Sequence, residues 1–456
     1  MQNPSFKTDL SCWETDNVIV SDGSPFEGTQ VARLGPGIAS MFQDVLIPKQ
    51  EYCPLFLSFN AYSGSNNELN GNLVAEVSWL NADHNIIATG LRIFIPNGRI
   101  NFIAKITFFD ITDRPPAGAA WARLQFSKGV GASPDLIVID QVILAPISSI
   151  NLVQNPSFES GLAHWTSDPN TSFIPDFLLP FEGVAQAVTT ANGSLFQDVP
   201  INWLPAKSSF MLSFAAAATG AATLTVRVEW RNAADNPIGS GLNLLIPSDT
   251  LISQGNYLSY LDITDFAPTG TVKARISFAA SIIGTGAALV IDQVIFARVA
   301  SENLVINPSF EDGLNNWTPV NTTLFSANDV YEGFADAMVD LTGGSLVQAV
   351  PLTKAVGHCF LFNCGLGFRR VGSAADFGVM LVKVLWLDSR GREIGLGLSL
   401  IGTSSPLVQG VLQWLVYTGI TEPAPAGTVA ARLQFTKSAS TNGVIEIDKV
   451  VLGRLV

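Results

Sequence analysis

The quadruplet Asn3-Pro4-Ser5-Phe6 returns as Asn155-Pro156-Ser157-Phe158 and again as Asn307-Pro308-Ser309-Phe310, each time 152 residues further on. A tryptophan follows every copy at one offset (Trp13, Trp165, Trp317). Each copy closes on the same line, as Ile139-Asp140-Gln141-Val142, Ile291-Asp292-Gln293-Val294 and Ile447-Asp448-Lys449-Val450. Self-similarity at a fixed long period means tandem units. The chain divides into repeats at 1–147, 148–299 and 300–456. A unit of about 150 residues buries roughly 70% of its unfolded surface and so holds its own core. Three full domains in a row are expected, and the short connectors Ala145 to Ile150 and Ala297 to Glu302 imply a rigid rod.

Repeat 2 reads most clearly. In Leu224-Thr225-Val226-Arg227-Val228-Glu229-Trp230, the apolar residues share one face while Arg227 and Glu229 take the other, the period of a half-buried strand. Ala234-Asp235-Asn236-Pro237 marks a turn, as do Asp83-His84-Asn85 in repeat 1 and Ser389-Arg390-Gly391-Arg392 in repeat 3; these residues tolerate positive φ. Eight to ten such short strands per repeat, with no convincing helix, predict an all-β fold: three tandem jelly-roll β-sandwich domains. In the closing strand of repeat 3, Ile445 and Ile447 mark one parity while Val450 and Leu452 mark the other. A bulge at Asp448 reconciles them.

Only 14% of residues are charged and mean hydropathy is +0.32, yet no apolar run is long enough to span a membrane. Such a chain hides surface either in large cores or by self-assembly. The net charge of −13 excludes a basic nucleic-acid footprint. No secretory signal opens the sequence. The cysteines Cys12, Cys53, Cys359 and Cys364 skip repeat 2, so the fold does not depend on disulfides, and buried free thiols are expected.

The order of these landmarks, Asn-Pro-Ser-Phe-Glu, then Trp, Glu-Gly, Val-x-Trp, Ala-x-Arg and Ile-Asp-x-Val, resembles carbohydrate-binding modules of the xylan- and glucan-binding jelly-roll type. These belong to the galactose-binding-like sandwich group. The architecture is also similar to repeated modules of Firmicute surface and spore-coat proteins. The resemblance implies a structural calcium held by the acid after the quadruplet and the aspartate of the closing strand: Glu159 with Asp292, and Glu311 with Asp448. Calcium takes several hard oxygens, so each pair is the start of a shell. In repeat 1, Lys7 replaces the glutamate and faces Asp140, which makes an ion unnecessary there.

No catalytic constellation is present. His84, His164 and His358 occupy unrelated positions, and Asp262 with Asp265 reads as a turn. The chain is expected not to be an enzyme. Tryptophans 13, 165 and 317, and 79, 230 and 386, recur in register as core. Trp121 falls on an outward strand face with Arg123, and Arg275 and Arg432 recur on that face. These four residues are the candidate ligand or interface positions; the arginines line a groove or pair with acids across the sheet. The aromatic itself does not recur.

The leading expectation is a non-catalytic structural protein of a bacterial surface (coat, layer or extracellular filament) that self-assembles through its modules. The alternative is a multivalent glycan-binding protein. Its partners would be further copies of itself or a polysaccharide, and its place outside the cell or on a spore or cell surface. Repeats 2 and 3 begin with Asn151-Leu152-Val153 and Asn303-Leu304-Val305, which repeat 1 lacks, so its first module should leave a sheet edge open. A loose Leu455-Val456 end of another copy is the expected occupant.

Overall fold

The computed structural model describes residues 1–23, 25–47, 52–65, 70–101, 105–173, 178–372, 376–403 and 411–456. Each repeat folds into two facing five-stranded antiparallel sheets. In repeat 2 the outer sheet runs Thr166–Ser167, Gly193–Pro200, Lys273–Ile282, Ala222–Arg231, Pro237–Ile246. The inner sheet runs Thr171–Phe173, Ala187–Thr189, Leu289–Val299, Ser209–Ala218, Leu258–Ile263. The expected parity holds: Leu224, Val226, Val228 and Trp230 are buried between the sheets. Gly241 is required by close approach, because a Cβ there would lie 2.4 Å from the Trp230 ring.

The landmark residues are structural. Asn155 sits at φ 52°, its amide donates to the carbonyls of Gly161 and Ala163, and its own carbonyl accepts from the Trp165 indole at 3.1 Å. Asn3 and Asn307 accept from Trp13 and Trp317 in the same way. The predicted hairpin turns place His84, Asp235 and Gly391 at positive φ. The bulge predicted at Asp448 is present in all three closing strands, with Gln141, Gln293 and Lys449 at φ 47–48°.

The repeats do not form a rod. They close into a ring with pseudo-threefold symmetry. The edge strands of the inner sheets, Ile106–Ile111, Leu258–Ile263 and Leu412–Ile420, contact one another pairwise at its centre. Their sequences are apolar on both parities, as in Tyr260-Leu261 and Phe108-Phe109, the pattern of a strand covered on both faces. The Thr107 hydroxyl donates to the Val416 carbonyl and the Ser259 hydroxyl to the Thr107 carbonyl, tying the strands across the axis. The cores run on through each seam: Tyr331 and Trp414 of repeat 3 join the core of repeat 2, Phe181 joins repeat 1, and Phe26 joins repeat 3. The surface that an apolar chain must hide is thus covered in part between its own repeats.

Three further expectations change. A short helix, Thr250–Gln254, is present at the seam of repeats 2 and 3, where Gln254 accepts from the Trp414 amide. Only Cys364 of the four free thiols is buried; Cys12 and Cys359 are exposed. Leu455 is buried, and its carbonyl accepts from the Ser148 amide and hydroxyl of the same chain, so this end is engaged within the ring.

Candidate functional site

The outward arginines pair with acids across the sheet. Arg123 stands opposite Asp44 in register and donates to both its oxygens at 2.7 and 2.9 Å, with its guanidinium over the Phe42 ring. Arg275 does the same with Asp198 at 2.6 and 2.8 Å over Phe196. Arg432 faces Ala349 instead and turns to Glu393 at 2.6 Å. A planar fork on a carboxylate is a strong, orienting contact. The Arg123 hydrogen bond holds the Asp44 carboxyl below its usual range; Arg275 and Lys273 outweigh burial to hold Asp198 at about 2.

What differs between repeats is the neighbour of this pair. In repeat 1 the His84 ring stacks on Trp121 at 4.6 Å, and His84 Nδ1 lies 2.8 Å from Asp44. Lys273 takes the Trp121 position in repeat 2 and closes an ion network with Asp198 and Asp235. Ala430 takes it in repeat 3. The repeat 1 face therefore carries a groove of about 700 Å³ lined by Phe42, Asp44, Leu46, His84, Trp121 and Arg123. Its half-buried aromatics flank a fixed charged pair, the mixture typical of small-molecule sites. Sequence reasoning found Trp121 and Arg123 but missed His84 and Asp44. The signals were available: Asp44 and Asp198 occupy equivalent positions, and His84 sits at the tip of a hairpin that folds back over the sheet.

The four residues predicted as calcium ligands serve a different structure. Each repeat sends a Phe/Tyr-Glu-Gly loop into the repeat before it around the ring. Gly183 donates to the Phe94 carbonyl at 2.6 Å, Gly333 to Leu245 at 2.7 Å and Gly28 to Ile401 at 3.2 Å. The glutamate accepts from the same residue's amide: Leu245 to Glu332 at 3.2 Å, Ile401 to Glu27 at 3.2 Å, and Phe94 to Glu182. Asp292 accepts the amides of Phe181, Glu182 and Gln293, and Asp448 those of Glu332 and Lys449. Glu159 Oε1 accepts from Val184 and Ala185, and Glu311 Oε1 from Phe334 and Ala335. Lys7 reaches Glu27 at 3.2 Å, whereas Asp140 takes the amides of Phe26 and Glu27. Amides converge on the oxygens an ion would need, and among the described residues no three His, Cys, Asp or Glu side chains converge as a metal-binding group. The residues present thus fit an amide-held latch better than a calcium shell. Chelator is accordingly expected to leave the melting temperature unchanged; a fall restored by added calcium would reinstate the ion, since a ligand of the native state stabilises it.

The bulge residues complete each seam. Lys449 Nζ lies 2.6 Å from Asp262 of repeat 2, Gln141 donates to the Thr418 carbonyl of repeat 3, and Gln293 bonds Asp110 of repeat 1. Asp262, expected to shape a turn, is a buried partner in this contact.

No family model matches the sequence, and no curated protein matches it. Solved structures do. The N-terminal CBM22-1-CBM22-2 tandem domain from Paenibacillus barcinonensis Xyn10C is 13% identical, over 67% of this chain and 97% of that one, with a TM-score of 0.25. TmCBM61, solved with beta-1,4-galactotriose, is 16% identical over 33% of this chain and 99% of that one, with a TM-score of 0.26. A family 16 carbohydrate-binding module gives 16%, 33%, 99% and 0.25. Among the described residues, no helix is long and apolar enough to cross a membrane.

Proposed function

We propose that this chain is a non-catalytic carbohydrate-binding protein that holds a polysaccharide segment, of the glucan or xylan kind, in the groove of repeat 1 outside the cell or on a cell surface. The observation that carries the reading is the Trp121–His84 stack beside the Arg123–Asp44 pair. A sugar ring presents an apolar face of C–H groups and a rim of hydroxyls. The aromatic wall receives the first by area burial, and the charged pair hydrogen-bonds the second. The Asp44 carboxylate and the Arg123 guanidinium hold each other in place before a ligand arrives, which lowers the ordering cost of binding. Repeats 2 and 3 replace the wall with Lys273 and Ala430, so recognition falls on one groove, and the other two modules serve the ring that supports it.

Titration with soluble β-linked xylo-, gluco- and galacto-oligosaccharides, followed by calorimetry, tests this. Trp121→Ala should weaken binding about tenfold to a hundredfold, the usual range for an aromatic anchor. The melting temperature should hardly move, because Trp121 is half-buried on an outward strand face. Equal affinity in Trp121→Ala, or no binding of any of the three classes, would overturn the proposal.

A further inference from the structure

The three bulge residues sit at equivalent points of the ring, and one of them differs in its chemistry. Gln141 reaches the Thr418 carbonyl and Gln293 reaches Asp110, so neither sets an amine against a carboxyl. Lys449 does: its Nζ lies 2.6 Å from Asp262 Oδ2 across the seam of repeats 2 and 3. Asp262 is fixed on the edge strand Leu258–Ile263, and Lys449 on the closing strand Gly443–Gly453, where Asp448 holds its backbone amide. Reacting groups held in contact by rigid elements reach effective concentrations on the order of 10⁵ M or more.

The surroundings supply what a condensation needs. Both side chains are less than a tenth exposed, and the buried rings of Tyr260 and Tyr331, 4.6 Å apart, lie near the same acids. A site without bulk water solvates two ions poorly and protects an amide from hydrolysis. Burial raises the Asp262 carboxyl above its ordinary range. Burial also opposes charge on Lys449, but Asp262 and Glu332 outweigh it, so the amine is held as an ammonium and needs a base. Glu332 Oε2, 3.5 Å from Nζ and equally buried, is that base, and its Oε1 is held by the Leu245 amide at 3.2 Å. Ser309 Oγ meets Nζ at 3.3 Å from a third side. Asp262 Oδ1 accepts the Ile263 amide at 2.7 Å, a donor placed to stabilise charge on that oxygen when Cγ is attacked.

We propose that Lys449 and Asp262 join through an isopeptide bond, a covalent cross-link between repeats 2 and 3 that the folded chain makes for itself. Glu332 takes a proton from the ammonium, and the freed lone pair attacks Asp262 Cγ. The Nζ–Cγ bond forms and the Cγ–Oδ2 bond breaks. Two protons leave Nζ in all, and both end on Oδ2, which departs as water. The ammonium and carboxylate charges cancel, and no co-reactant is consumed. Glu332 belongs to the loop that repeat 3 sends into repeat 2, so the three groups meet once that seam has docked.

Intact-mass spectrometry of the whole denatured protein should find it one water lighter than its sequence. A proteolytic digest should yield a branched peptide that holds both Lys449 and Asp262. Lys449→Gln installs the residue of the other two bulges; it should show its full sequence mass and melt at a lower temperature. Glu332→Gln keeps an acceptor for the Leu245 amide but offers no base, and should form the cross-link about a hundredfold more slowly. A chain that keeps its full sequence mass after prolonged incubation of the folded protein would overturn the proposal. So would a missing water that persists in Lys449→Gln, or a digest in which Lys449 and Asp262 leave on separate peptides. Cross-linking of Glu332→Gln at an undiminished rate would overturn the proposed chemistry.

Discussion

Gly183→Val should destabilise the protein by about 3 kcal/mol or more. Valine would have to adopt φ +67°, where a side chain costs roughly 1–2 kcal/mol. Its Cβ would also stand 2.2 Å from Glu159 Oε1, so the exposed glutamate must swing away and release the amides it holds, a loss of about 1–3 kcal/mol for hydrogen bonds to a charged group. The clash falls on the latch: Glu159 holds the amides of Val184 and Ala185, and Gly183 itself bonds Phe94 of repeat 1. Gly270→Val is the control. Gly270 has φ +95° but nothing within 4 Å of a Cβ, so backbone strain acts there alone and about 1–2 kcal/mol is expected. Denaturant melts of the two variants give the comparison. Equal losses would mean that the contact between Gly183 and Glu159 contributes nothing beyond local strain.

Stability should fall as pH rises from about 4 to about 8, by on the order of a few kcal/mol. Burial pushes the carboxyls of Asp110 and Asp140 up to about 8 and that of Glu182 to about 7, and raises Asp292 and Asp448 well above their ordinary range. In the unfolded chain such groups ionise near 4. Between the two values the folded state binds more protons, so raising the pH favours unfolding. Above pH 7 the slope should ease, because burial also brings Lys105, beside Asp140, down to about 7. A lysine that deprotonates more readily when folded returns stability as pH rises from 7 to about 10. Melting curves at pH 5, 6, 7 and 8 should therefore decline, and Asp110→Asn should flatten the decline by removing one of these acids. A level profile over that range would show that the seam acids ionise as freely in the ring as in the open chain.

The repeat 1 groove and the latch were legible to different degrees. Arg123, Arg275 and Arg432 could be placed on one outward face from strand parity alone, since side chains alternate with period two whatever surrounds the sheet. Their acid partners were an open choice, because pairing Arg123 with Asp44 depends on the register of two strands nearly eighty residues apart. The acids assigned to calcium illustrate the opposite case. Glu159 and Asp292 were paired as recurring calcium ligands; in the structure they bracket one loop. Sequence pattern could not show that the loop's own backbone amides meet both carboxylates, or that its Gly183 is spent on a neighbouring repeat.

By itself, the sequence determined the number of modules, their sandwich fold, the core tryptophans, the positive-φ turns and the bulge in each closing strand. All of these follow from local backbone geometry and from alternation within one repeat. The tertiary structure alone decided that the modules close on themselves. Ring closure rests on contacts such as Gly28 with Ile401 and Phe26 with Tyr417, between residues almost four hundred positions apart. Each repeat carries the same loop and the same edge strand, and these could equally join separate molecules into a filament. What selects the ring is the angle at which one sandwich docks on the next, because three such rotations bring the third loop back to the first edge.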